Sequence, residues 1–116
     1  MSNDNKLILQ QANEAITNGD YERFLSFCTE DTTWEFVGQE TLKGKEAVRQ
    51  YMAKAYIEPP IFKVDKFISE GDNLTAVGKI SMKNDNGDFE NYYYCDVWKL
   101  RDGKLAELTA FVIVIE

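Results

Sequence analysis

The sequence predicts an α+β domain in which a long β-sheet curls around helices drawn from its amino-terminal half. Three observations carry this. Through the first half of the chain, apolar residues recur mainly at helical spacing, with one strand-like interruption. From residue 61 onward they change to strand-like runs separated by turn signals. Among those runs, Glu90 to Leu100 is largely apolar on both of its period-2 faces, as a central strand covered on both sides must be.

Residues 5–18 form an amphipathic helix, with Ile8, Leu9, Ala12, Ala15 and Ile16 on one stripe. Asn18-Gly19 ends it, because glycine adopts the left-handed conformation after a helix without steric cost. Asp20 caps a short second helix that turns Phe24, Leu25, Phe27 and Cys28 inward, and Thr29-Glu30-Asp31 turns the chain. Thr32 to Val37 alternates as a strand with Trp34 and Phe36 on one face. Gly38 to Gly44 is a loop. A third helix runs from Lys45 to about Ile57, carrying Val48, Tyr51, Met52 and Ala55, until Pro59-Pro60 stops it. Strands follow at 61–69, 74–83, 89–100 and 105–115, a four-strand meander.

The last hairpin allows two registers. A two-residue Asp102-Gly103 turn sets Asp96 opposite Thr109 and Trp98 opposite Glu107. A three-residue Arg101-Asp102-Gly103 loop sets Asp96 opposite Leu108 and Tyr94 opposite Ala110. The second segregates polarity better, placing Leu108, Ala110, Val112 and Val114 on the Asp96 face. It is the register expected here.

Composition narrows the function. The 116 residues make one domain, 1–116, large enough to bury roughly two-thirds of the unfolded surface. Acidic residues outnumber basic ones 20 to 13, for a net charge of −7, which argues against nucleic acid and against an anionic membrane surface. No apolar run reaches the ~20 residues of a membrane span. The first residues lack the order of a signal peptide, so a cytoplasmic location is expected. Cys28 and Cys95 sit in apolar patterns and read as small buried hydrophobes. The chain has no histidine, which removes His-based triads, the usual zinc sites and the commonest general base. No metal site and no cofactor are expected. Acid–base chemistry falls to carboxylates, tyrosine, lysine or water.

Asp96 stands out. It lies between Tyr94 and Trp98 on one face of the central strand, where a carboxylate is either desolvated or at the edge of a cavity. Two readings stay open: a pocket acid that donates a proton or anchors a ligand, or a structural carboxylate satisfied by Tyr or Trp donors. Trp34, Phe36, Tyr51, Tyr94 and Trp98 form either a ligand-binding wall or a packed core. Glu35 and Glu40 are the available alternative bases, and Arg49 reads as a surface charge beside Glu46.

The order of elements resembles the nuclear transport factor 2-like superfamily, in its SnoaL-like and ketosteroid-isomerase-related branch. The resemblance covers nearly the whole chain. It rests on Asn18-Gly19-Asp20, on Trp34-Glu35-Phe36 followed by Leu42 to Val48, and on Asp96 to Leu105. It implies a cone-shaped, strongly curved mixed β-sheet wrapped around three helices. It also implies a ligand pocket lined by Trp34, Phe36, Tyr51, Met52, Tyr94, Trp98, Leu108, Ala110 and Val112, with Asp96 as its polar anchor. Ketosteroid isomerase combines an Asp base with an oxyanion hole of Tyr and a protonated Asp. Asp96 falls at the protonated Asp, but the base position falls near Phe36 and the Tyr position near Ala12, so steroid isomerisation is disfavoured. The Arg-and-two-Asp site of epoxide-hydrolase relatives is absent, since Tyr94 stands two residues before Asp96.

Two functions are therefore expected as alternatives. One is a pocket that binds an apolar or aromatic small molecule, with or without turning it over as a lyase, isomerase or cyclase. The other is a non-catalytic dimerisation or interaction domain whose cavity is filled by its own side chains. A homodimer is expected through the outer sheet face, where Cys95, Val97, Thr109, Phe111 and Ile113 lie together.

Overall fold

The computed structural model describes residues 2–115, and the side chains of residues 5–115. Helix α1 (Ser2–Thr17) starts ahead of the expected position and buries Leu9, Ala12, Ala15 and Ile16 along the expected stripe. The Gly19 amide donates to the Ile16 carbonyl at 2.9 Å and the Asp20 amide to the Ala15 carbonyl at 2.8 Å, closing the helix over a glycine at φ +75°. Helix α2 (Tyr21–Ser26) is capped by Asp20, whose carboxylate accepts from the Arg23 amide at 3.1 Å. Helix α3 (Lys45–Ala55) ends short of Ile57 and buries Val48 and Met52.

The strands are β1 (Cys28–Phe36), β2 (Glu40–Lys43), β3 (Ile61–Glu70), β4 (Asn73–Lys83), β5 (Phe89–Arg101) and β6 (Lys104–Val114). They form one open mixed sheet in the order β2-β1-β6-β5-β4-β3. The β3-to-β6 meander is antiparallel, and β1 joins it by parallel pairing to β6. Two expectations need correction. The segment 38–44 is not all loop, because Glu40 to Lys43 folds back on β1, pairing Trp34 with Leu42. The turn expected at 29–31 is instead an irregularity inside β1. Between Cys28 and Thr33 the strand slips against β6, while the buried Thr32 hydroxyl donates to the Leu105 carbonyl at 3.1 Å.

The last hairpin combines features of both anticipated registers. Its turn is the two-residue Asp102-Gly103, with φ of 54° and 77°, and Arg101 pairs with Lys104. A bulge then leaves Ala106 without a partner, since Lys99 pairs with Glu107 but Leu100 with Leu105. The extra residue restores the parity that the short turn would have lost. Asp96 lies opposite Ala110, not Leu108, and Tyr94 lies opposite Val112. Leu108, Ala110 and Val112 still share the Asp96 face.

The helices cover only one face of the sheet, packing Leu9, Phe24, Val48 and Met52 against Trp34, Leu74, Trp98 and Leu108. At the other end, β3 bends over the sheet through a register shift between Val64 and Lys66. Gly78 makes room for that bend. A Cβ there would lie 2.0 Å from the Lys63 carbonyl oxygen and 3.0 Å from the Tyr94 hydroxyl. Gly78→Ala is therefore expected to cost about 1–3 kcal/mol of unfolding free energy, as forced overpacking does. Urea denaturation of the two proteins measures it, and an unchanged midpoint would show that β3 shifts without cost.

Candidate functional site

Between the helices and the inner sheet face lies a cavity of about 200 Å³. Its existence follows from the side chains that cross the sheet beside Asp96. On β5, Trp98 is flanked by Leu74 and Leu108, and these three bulky groups fill their row. One row along, Asp96 is flanked by Ala76 and Ala110, each almost fully buried. Two methyl groups cannot fill the space that leucines fill beside Trp98. The carboxyl thus stands on the floor of an unfilled volume.

Aromatic rings wall that volume. Trp34 is the hub, with its ring centroid 6.2 Å from those of Phe36 and Tyr51 and 6.1 Å from Trp98, all edge-on. Such pairs contribute roughly 0.5–1.5 kcal/mol each beyond their buried area, so the wall is a rigid one. Tyr51 and Phe36 also touch at 5.0 Å. Tyr94, Leu108, Ala110 and Val112 complete the sheet side of the cavity. Met52 does not belong to it. That side chain is fully buried in the core and does not line the cavity, because its place on α3 points it at the packed interior.

Several lining residues went unrecognised in the sequence. Tyr92 follows from the same period-2 face as Tyr94 and could have been read from it. Tyr56 could not. It caps the carboxyl end of α3, where no periodicity specifies direction, and its ring sits 6.1 Å from Tyr51 and 5.7 Å from Tyr21. Asn13 on α1 and Gln39 before β2 add side-chain amides.

The electrostatics are one-sided. Among the described residues no lysine or arginine lines the cavity, and Asp96 is the one lining carboxyl. Among the described residues none donates a hydrogen bond to that carboxyl, and burial alone pushes it up to about 7. Burial first, and the nearby Asp96 charge with it, raises the phenols of Tyr94 and Tyr56 above the usual range, so both stay protonated near neutrality. The Trp34 indole N–H is buried without a partner. Groups considered as alternatives lie elsewhere. Glu35 and Glu40 are exposed and do not line the cavity. Arg49 pairs with Glu46 and also bridges to Glu22 on α2 at 2.7 Å. Burial drives the Cys28 thiol up to about 12, which leaves it unreactive. Among the described residues no cluster of His, Cys, Asp and Glu is placed to hold a metal ion, and no helix is long and apolar enough to cross a membrane.

An open mixed sheet curled over three helices, with an aromatic cavity between them, defines a nuclear transport factor 2-like α+β fold. The sequence profile of the SnoaL-like domain matches residues 9–108, and the chain belongs to that family. Solved structures agree on the fold. An epoxide hydrolase/cyclase-like enzyme, SalBIII, described for pyran ring formation in the polyether salinomycin, is similar with a TM-score of 0.84 and 21% identity, covering 96% of this chain and 95% of that one. A protein from Jannaschia sp. CCS1 described as a SnoaL-like polyketide cyclase has a TM-score of 0.82 at 14% identity, with 96% and 86% covered. A nuclear transport factor 2-like protein of unknown function from Cytophaga hutchinsonii has a TM-score of 0.75 at 20% identity, with 97% and 99% covered. No curated protein matches the sequence.

The raised Asp96 carboxyl has a consequence for stability. Its folded-state pKa, about 7, lies above its unfolded value, so the group binds its proton more tightly when folded. Its favourable contribution is complete below the unfolded value and is lost as pH rises through about 7. At about 1.4 kcal/mol for each unit between the two values, Asp96→Asn is expected to raise stability at pH 7–8 by roughly 1–4 kcal/mol. The gap should shrink toward pH 5. Paired thermal melts at pH 5 and pH 8 measure it, and a mutant less stable at pH 8 would show the carboxylate to be held by donors.

Proposed function

We propose that this protein binds a small apolar or aromatic molecule in the inner cavity, with Asp96 as its polar anchor, as an enzyme of the lyase, isomerase or cyclase kind. One observation carries the reading: an unpaired carboxyl between two alanines on the floor of a ring-walled cavity of about 200 Å³. A cavity of ~150 Å³ already accepts benzene, so a substituted ring fits. Support for chemistry comes from the SnoaL-like family and from similarity to an epoxide hydrolase/cyclase-like enzyme. The reaction is not steroid isomerisation by the familiar arrangement, because Phe36 and Ala12 supply neither base nor second donor. The alternative of a self-filled cavity leaves the space beside Asp96 unexplained. Titration with a panel of steroids, aromatic acids and polyketide-like compounds is expected to quench Trp34 and Trp98 fluorescence, and complete indifference would favour the self-filled domain.

A second copy of the chain is the proposed partner. On the outer sheet face Tyr93, Val97, Phe111 and Ile113 are 50%, 38%, 43% and 64% exposed, with cross-strand pairs joining Tyr93 to Ile113 and Cys95 to Phe111. That continuous patch exceeds the scattered apolar residues a monomer normally shows, and self-pairing would bury it twice over. Sedimentation equilibrium at tens of micromolar is expected to give the dimer mass, and Phe111→Glu the monomer mass. A wild-type monomer would refute it.

A further inference from the structure

We infer that the ligand of this cavity is an organic cation, a small ammonium compound with an aromatic or branched apolar body, whose charge seats against Asp96 and whose body lies on the rings. The inference rests on the reading of the cavity as a ligand pocket and names the class of molecule it takes.

The charge inventory of the walls leads there. Facing Asp96 are Tyr94 on its own strand, Ala76 and Ala110 on the flanking strands, and Asn13 and Ile16 from α1. Tyr51 and Tyr56 face it from α3 and its carboxyl end. None of these carries charge near neutral pH, and the charged groups that act on the lining from β2 and β3, Glu40 on Tyr51 and Asp65 on Tyr94, are acids and not bases. The tyrosines are pushed away from ionisation, first by burial, and the chain has no histidine. Among the described residues nothing is placed to neutralise this carboxylate. A desolvated carboxylate without a donor can take up a proton or a cation, and only the second uses what surrounds it. Trp34, Tyr51, Tyr56, Tyr94 and Trp98 line the cavity, and aromatic π-systems attract ammonium groups. An anionic ligand would meet one acid, no base and the field of a chain with net charge −7, which steers cations inward instead. A neutral ligand with an acceptor oxygen requires Asp96 to hold a proton. That requirement makes the two ligand classes separable, because their affinities move in opposite directions with pH.

The test uses an isosteric pair, phenyltrimethylammonium and tert-butylbenzene, titrated into the full chain and followed by tryptophan fluorescence. At pH 8 the cation is expected to bind at least tenfold more tightly than the hydrocarbon. With the carboxyl titrating at about 7, the ionised, binding-competent fraction grows about tenfold from pH 6 to pH 8, and the affinity for the cation should grow with it. Affinity for tert-butylbenzene should not rise. Asp96→Asn should abolish both the cation preference and its pH dependence while still binding tert-butylbenzene. Hydrocarbon binding as tight as cation binding at pH 8, or cation binding indifferent to pH, would overturn the inference and leave the pocket standing. If neither probe binds, the pocket reading falls with it. The wild-type pH series decides alone if the variant does not fold.

Discussion

The inner lining of this protein depends on a single unpaired residue. A two-residue turn at Asp102-Gly103 would, with unbroken pairing, carry Thr109 and Glu107 to the inside and Leu108 and Ala110 to the outside. The bulge at Ala106 reverses that. It also reaches further than its own hairpin, because β1 takes its register from β6, with Trp34 beside Leu108 and Phe36 beside Ala110. A slip of one residue in β6 would thus set two polar side chains among the rings of Trp34, Phe36 and Trp98. Ala106 and its neighbour Leu105 are both buried, so the bulge is held in the core and not left at a mobile edge.

This explains what could be read in advance and what could not. The helices, the meander and the inward face of β5 were legible, since each is written in local periodicity and punctuation such as Gly19 and Pro59-Pro60. The face of β6 was also legible, because burying Leu108, Ala110 and Val112 together favours one parity. The mechanism that delivers it was not. A three-residue loop and a two-residue turn with a bulge give the same parity and differ only in which residue goes unpaired. Strand β2 was hidden for a related reason: Leu42 is the one apolar residue in Glu40 to Lys43, and its pairing with β1 is a tertiary choice. Tyr56 entered the cavity from a helix end, where sequence spacing says nothing about direction. Met52 was misplaced because helical spacing reports burial without distinguishing a packed core from a cavity wall.

The distinction between core and wall is made by volume. Trp34, Phe36, Tyr51 and Trp98 alone would read as an aromatic core, and their edge-on packing is that of a well-packed interior. They become a wall only because Ala76 and Ala110 stop short on either side of Asp96. Small residues also stand on the helix side, where Ala12 and Ala15 bring α1 close to the sheet. The large rings thus set the perimeter, and Ala76 and Ala110 leave the space beside Asp96 open.

Asp96 is where stability and folding pattern disagree. The structural reading of this carboxylate required Tyr or Trp donors, and neither Tyr94, Tyr56 nor Trp34 donates to it. Without them the group opposes folding near neutral pH, and an uncharged side chain of similar size would relieve that opposition. Nor does the carboxyl contribute to register, which the bulge and the apolar rows set without it. The carboxyl thus costs stability, fixes no geometry and faces open volume. The same locality gives Trp34 an unpaired N–H in the adjoining wall.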